Sequence, residues 1–276
     1  MAAELIRILS DLHFGERVSR VRRLAQLNPL LDGVTHLVLN GDTLDTRPGP
    51  DPAHTATCRE AVAGFFRRRV ATTTFITGNH DADFSPHHYL ELEAGTVFVI
   101  HGDVLFDDIV PWSRDAPLAG RRIAEELAGL PEALRGNLDQ RMAVFRRVAL
   151  SIPQRHQSEA RGVAYTLRYL ADTVWPPHRI WRILDAWREM PRRAAEVARR
   201  HRPGVRFVLT GHVHRPGIWR APGDIMVINT GSYSPPLGTY AVDLSAGRLT
   251  VRRVDQRSGE FHPGPVVAEF PLATPW

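Results

Sequence analysis

Lysine is missing from this 276-residue chain, cysteine occurs once, at Cys58, and no apolar run approaches the length of a membrane span. Each absence closes off a class of protein. A single cysteine permits neither an intrachain disulfide nor a thiolate metal cluster. A bilayer-crossing helix needs roughly 18 or more consecutive apolar residues, and none is present. The N-terminus enters a strand-like run within a few residues, leaving no room for a secretory leader, so a cytoplasmic protein is expected. With no lysine, all 35 basic residues are Arg, a bias that Arg-rich codon usage explains without any functional demand.

What is present reads as one folded unit. A hydrophobic fraction of 43% with 24% charged residues is ordinary for a globular chain. The net charge of +5 is uneven: residues 113–203 hold 18 Arg against 10 acids, or +8, which leaves −3 for the remainder. Residues 1–112 alternate strand and helix signals, the pattern of a layered α/β fold. The spacing of Val21, Leu24, Leu27 and Leu31 predicts a helix over 18–31. Ala61, Val62, Phe65 and Phe66 predict another over 58–70, after a Pro/Gly-rich loop at 47–52. Residues 113–203 interrupt this rhythm and read as helical, with breaks near Gly129-Leu130-Pro131, Ile152-Pro153 and Trp175-Pro176-Pro177. There Ile180, Ile183, Leu184 and Trp187 form one apolar stripe. Beyond residue 211, short β segments at 225–229, 239–244 and 248–254, the last two joined by a Ser245-Ala246-Gly247 turn, predict a second antiparallel sheet closing the core.

Five apolar runs end in residues able to ligate a metal. They lead into Asp11-Leu12-His13, Gly41-Asp42, Gly78-Asn79-His80-Asp81, His101-Gly102-Asp103 and Gly211-His212-Val213-His214. Ligands of open α/β sheets bind beyond the carboxyl ends of the strands, so the five runs deliver these side chains to one rim. Each motif alone is weak, since a strand-end Asp is commonly a cap and a single His is commonly structural. All five in order define a metal site. Carboxylate, amide and imidazole donors without sulfur suit borderline divalent ions such as Mn²⁺, Fe²⁺ or Zn²⁺.

This series, D-x-H, GD, GNH(D/E), H and GHxH, resembles that of the calcineurin-like metallophosphoesterases. The resemblance implies an α/β/β/α sandwich over residues 1–276, with 113–203 as a helical cap inserted in it. It implies two divalent metal ions bridged by Asp42, one also held by Asp11, His13 and His214, the other by Asn79, His101 and His212. It further implies hydrolysis of a phosphomonoester or phosphodiester by a metal-bound hydroxide, with His80 protonating the leaving group and Asp81 orienting His80. Arg47 and Arg215 lie near ligands and are candidates for bidentate phosphate binding, a solvated surface position being the alternative for each. Asp45 could support the metal shell or cap a loop, and His87-His88 could reach substrate or be a plain loop pair.

The insertion falls between His101 and His212, so it must return to the metal rim. It carries Trp175, Trp181 and Trp187, with Trp112 just before it, and its basic charge suits a bulky anionic substrate. Its placement between HGD and GHxHRP is similar to that in UDP-2,3-diacylglucosamine pyrophosphohydrolases, which implies a lipid-linked substrate. Separately, the basic amphipathic stretch at 177–190 is a candidate for peripheral membrane contact, with no lipid anchor beside it. Against that narrower family stands His80, where those enzymes usually carry Arg. A nuclease is a further reading from the basic charge, although no recognition motif accompanies it.

Overall fold

The computed structural model describes residues 4–154 and 175–273. Part of the expected insertion, 155–174, therefore lies outside the described residues. The strands are β1 (Ile6–Leu9), β2 (His36–Asn40), β3 (Thr72–Ile76), β4 (Tyr89–Leu92), β5 (Val97–Ile100), β6 (Phe207–Thr210), β7 (Gly217–Ala221), β8 (Ile225–Asn229), β9 (Tyr240–Ser245), β10 (Arg248–Arg257) and β11 (Glu260–Pro271). The helices are α1 (Asn28–Leu31), α2 (Pro52–Arg69), α3 (Ala116–Gly129), α4 (Glu132–Arg135), α5 (Leu138–Leu150) and α6 (His178–His201).

Two mixed sheets form, in the orders β11-β10-β9-β1-β2-β3 and β4-β5-β6-β8-β7. Alternation of side chains along each strand divides the core into three apolar layers. Ile6, Ile8, Val38, Val97, Val99, Phe207 and Leu209 fill the space between the sheets. Leu9, Leu37 and Leu39 point the other way, onto Val62 and Phe66 of α2. Phe98, Ile100 and Val208 point outward on the second sheet, onto Phe145 and Val148 of α5 and Met190, Ala194 and Ala198 of α6. The result is the expected α/β/β/α order. Because β1, β2 and β3 are parallel in one sheet, and β5 and β6 in the other, their carboxyl ends emerge on one side.

Two local expectations need correction. Residues 18–31 form no continuous helix. Instead a 3-10 turn spans Leu24–Leu27, and α1 is a single turn beginning beside Pro29. Pro29 cannot donate a helical hydrogen bond, and the Ser19 hydroxyl donates to the Leu12 carbonyl. The backbone amide of Arg20 donates to Tyr233. The stripe residues Val21, Leu24, Leu27 and Leu31 are buried all the same.

The C-terminal strands make no second antiparallel sheet. β9 pairs with β1, and β10 and β11 extend the same sheet, while β8 joins the other sheet parallel to β6. The buried Arg7–Asp243 pair, with Nε–Oδ1 at 2.6 Å and Nη2–Oδ2 at 2.7 Å, ties β9 to β1. The apolar stripe on the first half of α6 is divided: Ile180 and Leu184 are exposed, as are Trp175 and Trp181, whereas Ile183 and Trp187 are half-buried and Trp187 packs against the core. The face that packs on the sheet lies further on, from Ala186 to Ala198. Among the described residues no helix is long and apolar enough to cross a membrane.

Candidate metal centre

The rim expected beyond the strand ends exists. Asp11 and His13 follow β1, Asp42 follows β2, Asn79 and His80 follow β3, His101 follows β5, and His212 and His214 follow β6. The loops after β1 and β2 run side by side, Asp11, His13 and Phe14 donating backbone N–H bonds to Gly41, Asp42 and Thr43 at 3.0, 2.9 and 2.8 Å. Asp11, His13, Asp42, His212 and His214 all adopt left-handed backbone, with φ of 52°, 48°, 50°, 70° and 54°. Residues other than glycine seldom do so, and strain of this kind gathers at functional sites. Gly41, at φ 79°, is required for a second reason: a Cβ there would collide with the His101 ring.

Two groups of donors converge. Asp11, His13, Asp42 and His214 form one, and Asp42, His101 and His212 the other, while His13, Glu16 and His80 make a third group beside them; candidate ligand atoms in each group lie within 4.8 Å of one another. Asp42 is common to the first two. Its Oδ2 lies 3.3 Å from His101 Nε2 and 4.0 Å from His13 Nε2, while Oδ1 accepts from the His80 backbone at 2.8 Å. His101 Nδ1 donates to the Asn40 carbonyl at 2.9 Å, turning Nε2 inward. His212 Nε2 donates to the Ile109 carbonyl at 2.8 Å, which leaves its lone pair on Nδ1. Such outer hydrogen bonds fix the tautomer of a metal-binding imidazole.

The donors fit divalent cations. Asn79 Oδ1 and His101 Nε2 are buried without a hydrogen-bond partner among the described residues, a cost that a cation would remove. His13 Nε2 and His214 Nε2 face each other at 3.1 Å, two nitrogens suited to a shared ion. Burial opposes charge on Asp42, but His101, His80 and His13 hold its carboxyl well below its usual range. Burial and the neighbouring His101 push His212 down to about 3, so it is neutral, as a ligand must be.

His80 stands beside the two groups, its Nε2 4.0 Å from Asp42 Oδ2. Its Nδ1 touches Asp45 Oδ2 at 3.0 Å and Glu16 Oε1 at 3.2 Å. Burial and Arg47 disfavour its proton, but Asp42, Asp45 and Glu16 outweigh them and raise His80 to about 10. The expected pairing of His80 with Asp81 does not form. The Asp81 carboxylate accepts from the backbone amides of Asp42, Thr43 and Gly78 at 3.1, 2.7 and 2.6 Å, stapling the β2 and β3 loops together. Burial, reinforced by repulsion from Asp42, raises it to about 6. A residue adjacent in a tight turn points elsewhere, and Asp45 takes the place assigned to it.

Arg47 joins the site, but its guanidinium is committed to Asp45 through Nε at 3.0 Å and Nη2 at 2.7 Å, with Nη2 also 3.0 Å from His80 Nδ1. The Arg215 guanidinium lies over the Trp187 and Trp219 rings, at 5.3 and 5.8 Å from their centroids. His88 bonds Thr77 and Arg146, each at 2.6 Å. The segment from Asn229 to Tyr233 braces the rim: Thr230 Oγ1 lies 2.6 Å from Ser10 Oγ, and the Tyr233 amide donates to the Asp11 carbonyl at 3.1 Å. Glu16 is the residue that the strand-end pattern misses, since it follows a turn rather than a strand.

The model of the calcineurin-like phosphoesterase family matches residues 5–216, and the chain belongs to that family. No curated protein sequence matches it significantly. Among solved structures it is similar to a dimetal phosphatase from Danio rerio, at 14% identity over 92% of this chain and 96% of that one, with a TM-score of 0.43. A predicted phosphoesterase from Streptococcus pneumoniae gives 18% identity over 98% and 99%, with a TM-score of 0.38. Vacuolar protein sorting 29 from Cryptosporidium parvum gives 11% over 98% and 100%, with a TM-score of 0.43.

Proposed function

We propose that this chain hydrolyses a phosphomonoester or phosphodiester with the help of two divalent cations. Asp11, His13, His214 and Asp42 would hold one, and Asp42, Asn79, His101 and His212 the other. The observation that carries this reading is Asp42, a single carboxylate shared by two converging donor groups. Bound there, the cations would neutralise charge on a phosphoryl group and make water nucleophilic near neutral pH.

The remaining work falls to the chain's own residues. A departing alkoxide needs a proton, and His80 delivers it from Nε2, the ring nitrogen facing the donor groups. Asp45 and Glu16, both at Nδ1, stabilise the doubly protonated ring before transfer. Arg47, paired with Asp45, keeps that carboxylate ionised and in place. His80→Ala is expected to keep two cations per chain after Mn²⁺ reconstitution. Its turnover of alkyl phosphoesters should fall by ~10²–10⁴-fold, with much smaller losses for aryl esters that leave unaided. Equal losses across leaving groups would refute proton donation, and fewer than two bound cations in the unmodified protein would refute the dinuclear centre.

A second reading, a pyrophosphohydrolase acting on a nucleotide-linked lipid, is supported by the exposed apolar residues Trp175, Ile180, Trp181 and Leu184. They belong to the approach and first half of α6, which reaches the centre where Trp187 Nε1 donates to the Val213 carbonyl at 2.9 Å. Turnover of nucleotide pyrophosphates in preference to simple esters would select it. Basic charge gives a nuclease less support, because Arg141, Arg147, Arg188 and Arg192 are each paired with acids.

A further inference from the structure

Glu16 lies behind the centre rather than in it. Gly15, at φ 90°, turns the chain after His13, and the Glu16 amide donates back to the His13 carbonyl at 3.0 Å. The Glu16 side chain, 12% exposed, is thereby folded beneath two imidazoles at once. Its Oε1 is 2.9 Å from His13 Nδ1 and 3.2 Å from His80 Nδ1. The two rings meet edge to face, centroids 5.0 Å apart at 87°. In both it is Nε2 that faces Asp42, at 4.0 Å.

A neutral imidazole has one N–H and one lone pair, and an acceptor at Nδ1 keeps the N–H there. The same contact fixes the ring plane. One carboxylate oxygen therefore sets the orientation of a proposed metal ligand and of the proposed proton donor together. Asp45, by contrast, touches only His80 of these two rings. We infer that Glu16 is a shared positioning residue, holding His13 with its Nε2 lone pair toward the cation and holding His80 with Nε2 toward the leaving group. The His80 half rests on the phosphoesterase reading, whereas the His13 half rests on metal binding alone.

The asymmetry between Glu16 and Asp45 supplies the test. Mn²⁺ binding to the full-length metal-free protein is measured by calorimetry without substrate, and kcat and KM are measured over a leaving-group series. Glu16→Gln keeps the volume but lacks the charge, so its neutral amide oxygen accepts more weakly from both rings than the carboxylate does. It should weaken Mn²⁺ binding by ~10–100-fold and lower kcat for poor leaving groups with KM little changed. Asp45→Asn should lower kcat in the same way while binding Mn²⁺ as the unmodified protein does. Either readout at its unmodified value in Glu16→Gln overturns the shared role. Should Glu16→Gln fail to fold by circular dichroism, Glu16→Asp is read identically, because it keeps the charge and is one methylene too short to serve both rings. If the unmodified protein turns over no phosphoester, that reading fails by itself, and Mn²⁺ affinity still decides the His13 contact.

Discussion

His80 shows how much a single imidazole owes to its neighbours. Burial alone would favour the neutral ring, yet three carboxylates around it reverse the balance. His88 illustrates the opposite outcome eight residues away. Burial first, and the Arg146 guanidinium second, hold it at about 4 against an ordinary 6.5. An unfolded chain therefore protonates His88 well before the folded one does. Its contribution to stability is whole above about pH 6.5 and is lost as the pH falls towards 4. In urea titrations the unmodified protein should lose more of its midpoint between about pH 7 and pH 5 than His88→Gln, which hydrogen-bonds without titrating. Equal losses would show that His88 takes up its proton in the folded state as readily as in the unfolded one.

At this scale the donor types were legible, because metal-ligating side chains recur at strand ends with glycine beside them. The partners of those donors were not. The family resemblance pairs Asp81 with His80, but the Asp81 carboxylate is consumed by three backbone amides. Asp45 and Glu16 reach His80 across 35 and 64 residues of sequence, a relation no local pattern encodes.

Among the elements, the strands were the most readable, since short β-branched and aromatic runs bounded by glycine have few other fates. All five runs that end in ligands are strands in the structure. The helix expected over 18–31 failed where apolar spacing competed with Pro29 and with Ser19, whose hydroxyl is engaged elsewhere. Burial survived there although helicity did not. In α6 the reverse held. The helix forms, but Ile180 and Leu184 of its conspicuous stripe and the neighbouring Trp181 are exposed, while the plainer run of Met190, Ala194, Ala195 and Ala198 is buried. Met190→Ala should accordingly cost about 2–5 kcal/mol in denaturant unfolding, and Trp181→Ala should stay within about 0.5 kcal/mol. A large cost at Trp181 would show that the first half of α6 is packed in solution.

The whole molecule places its candidate centre on the seam between two sheets. Asp11, Asp42 and Asn79 come from the ends of the six-stranded sheet, and His101, His212 and His214 from those of the five-stranded one. Asn40 spans the seam, donating from Nδ2 to the Ile100 carbonyl at 3.1 Å and accepting from His101. Cations bound there would tie the sheets together and, by linkage, stabilise the folded chain. At a free Mn²⁺ concentration ~100 times the dissociation constant the gain is about 2.7 kcal/mol for one site. The melting temperature should rise with added Mn²⁺ and fall on chelation, and Asp42→Asn should remove most of that response. An unmodified protein whose melting temperature ignored Mn²⁺ would contradict the placement of the ions.

The sequence by itself determined the five strands that end in donors, the order of the donor-bearing loops and the sulfur-free chemistry of the site, because these depend on residues within a few positions of one another. Tertiary structure alone decided that β9, β10 and β11 join the first sheet, that Asp42 belongs to both donor groups, and that Glu16 and Asp45 rather than Asp81 back His80. Those outcomes rest on contacts between residues far apart in the chain, where burial and charge pairing choose among many partners that local propensity treats alike.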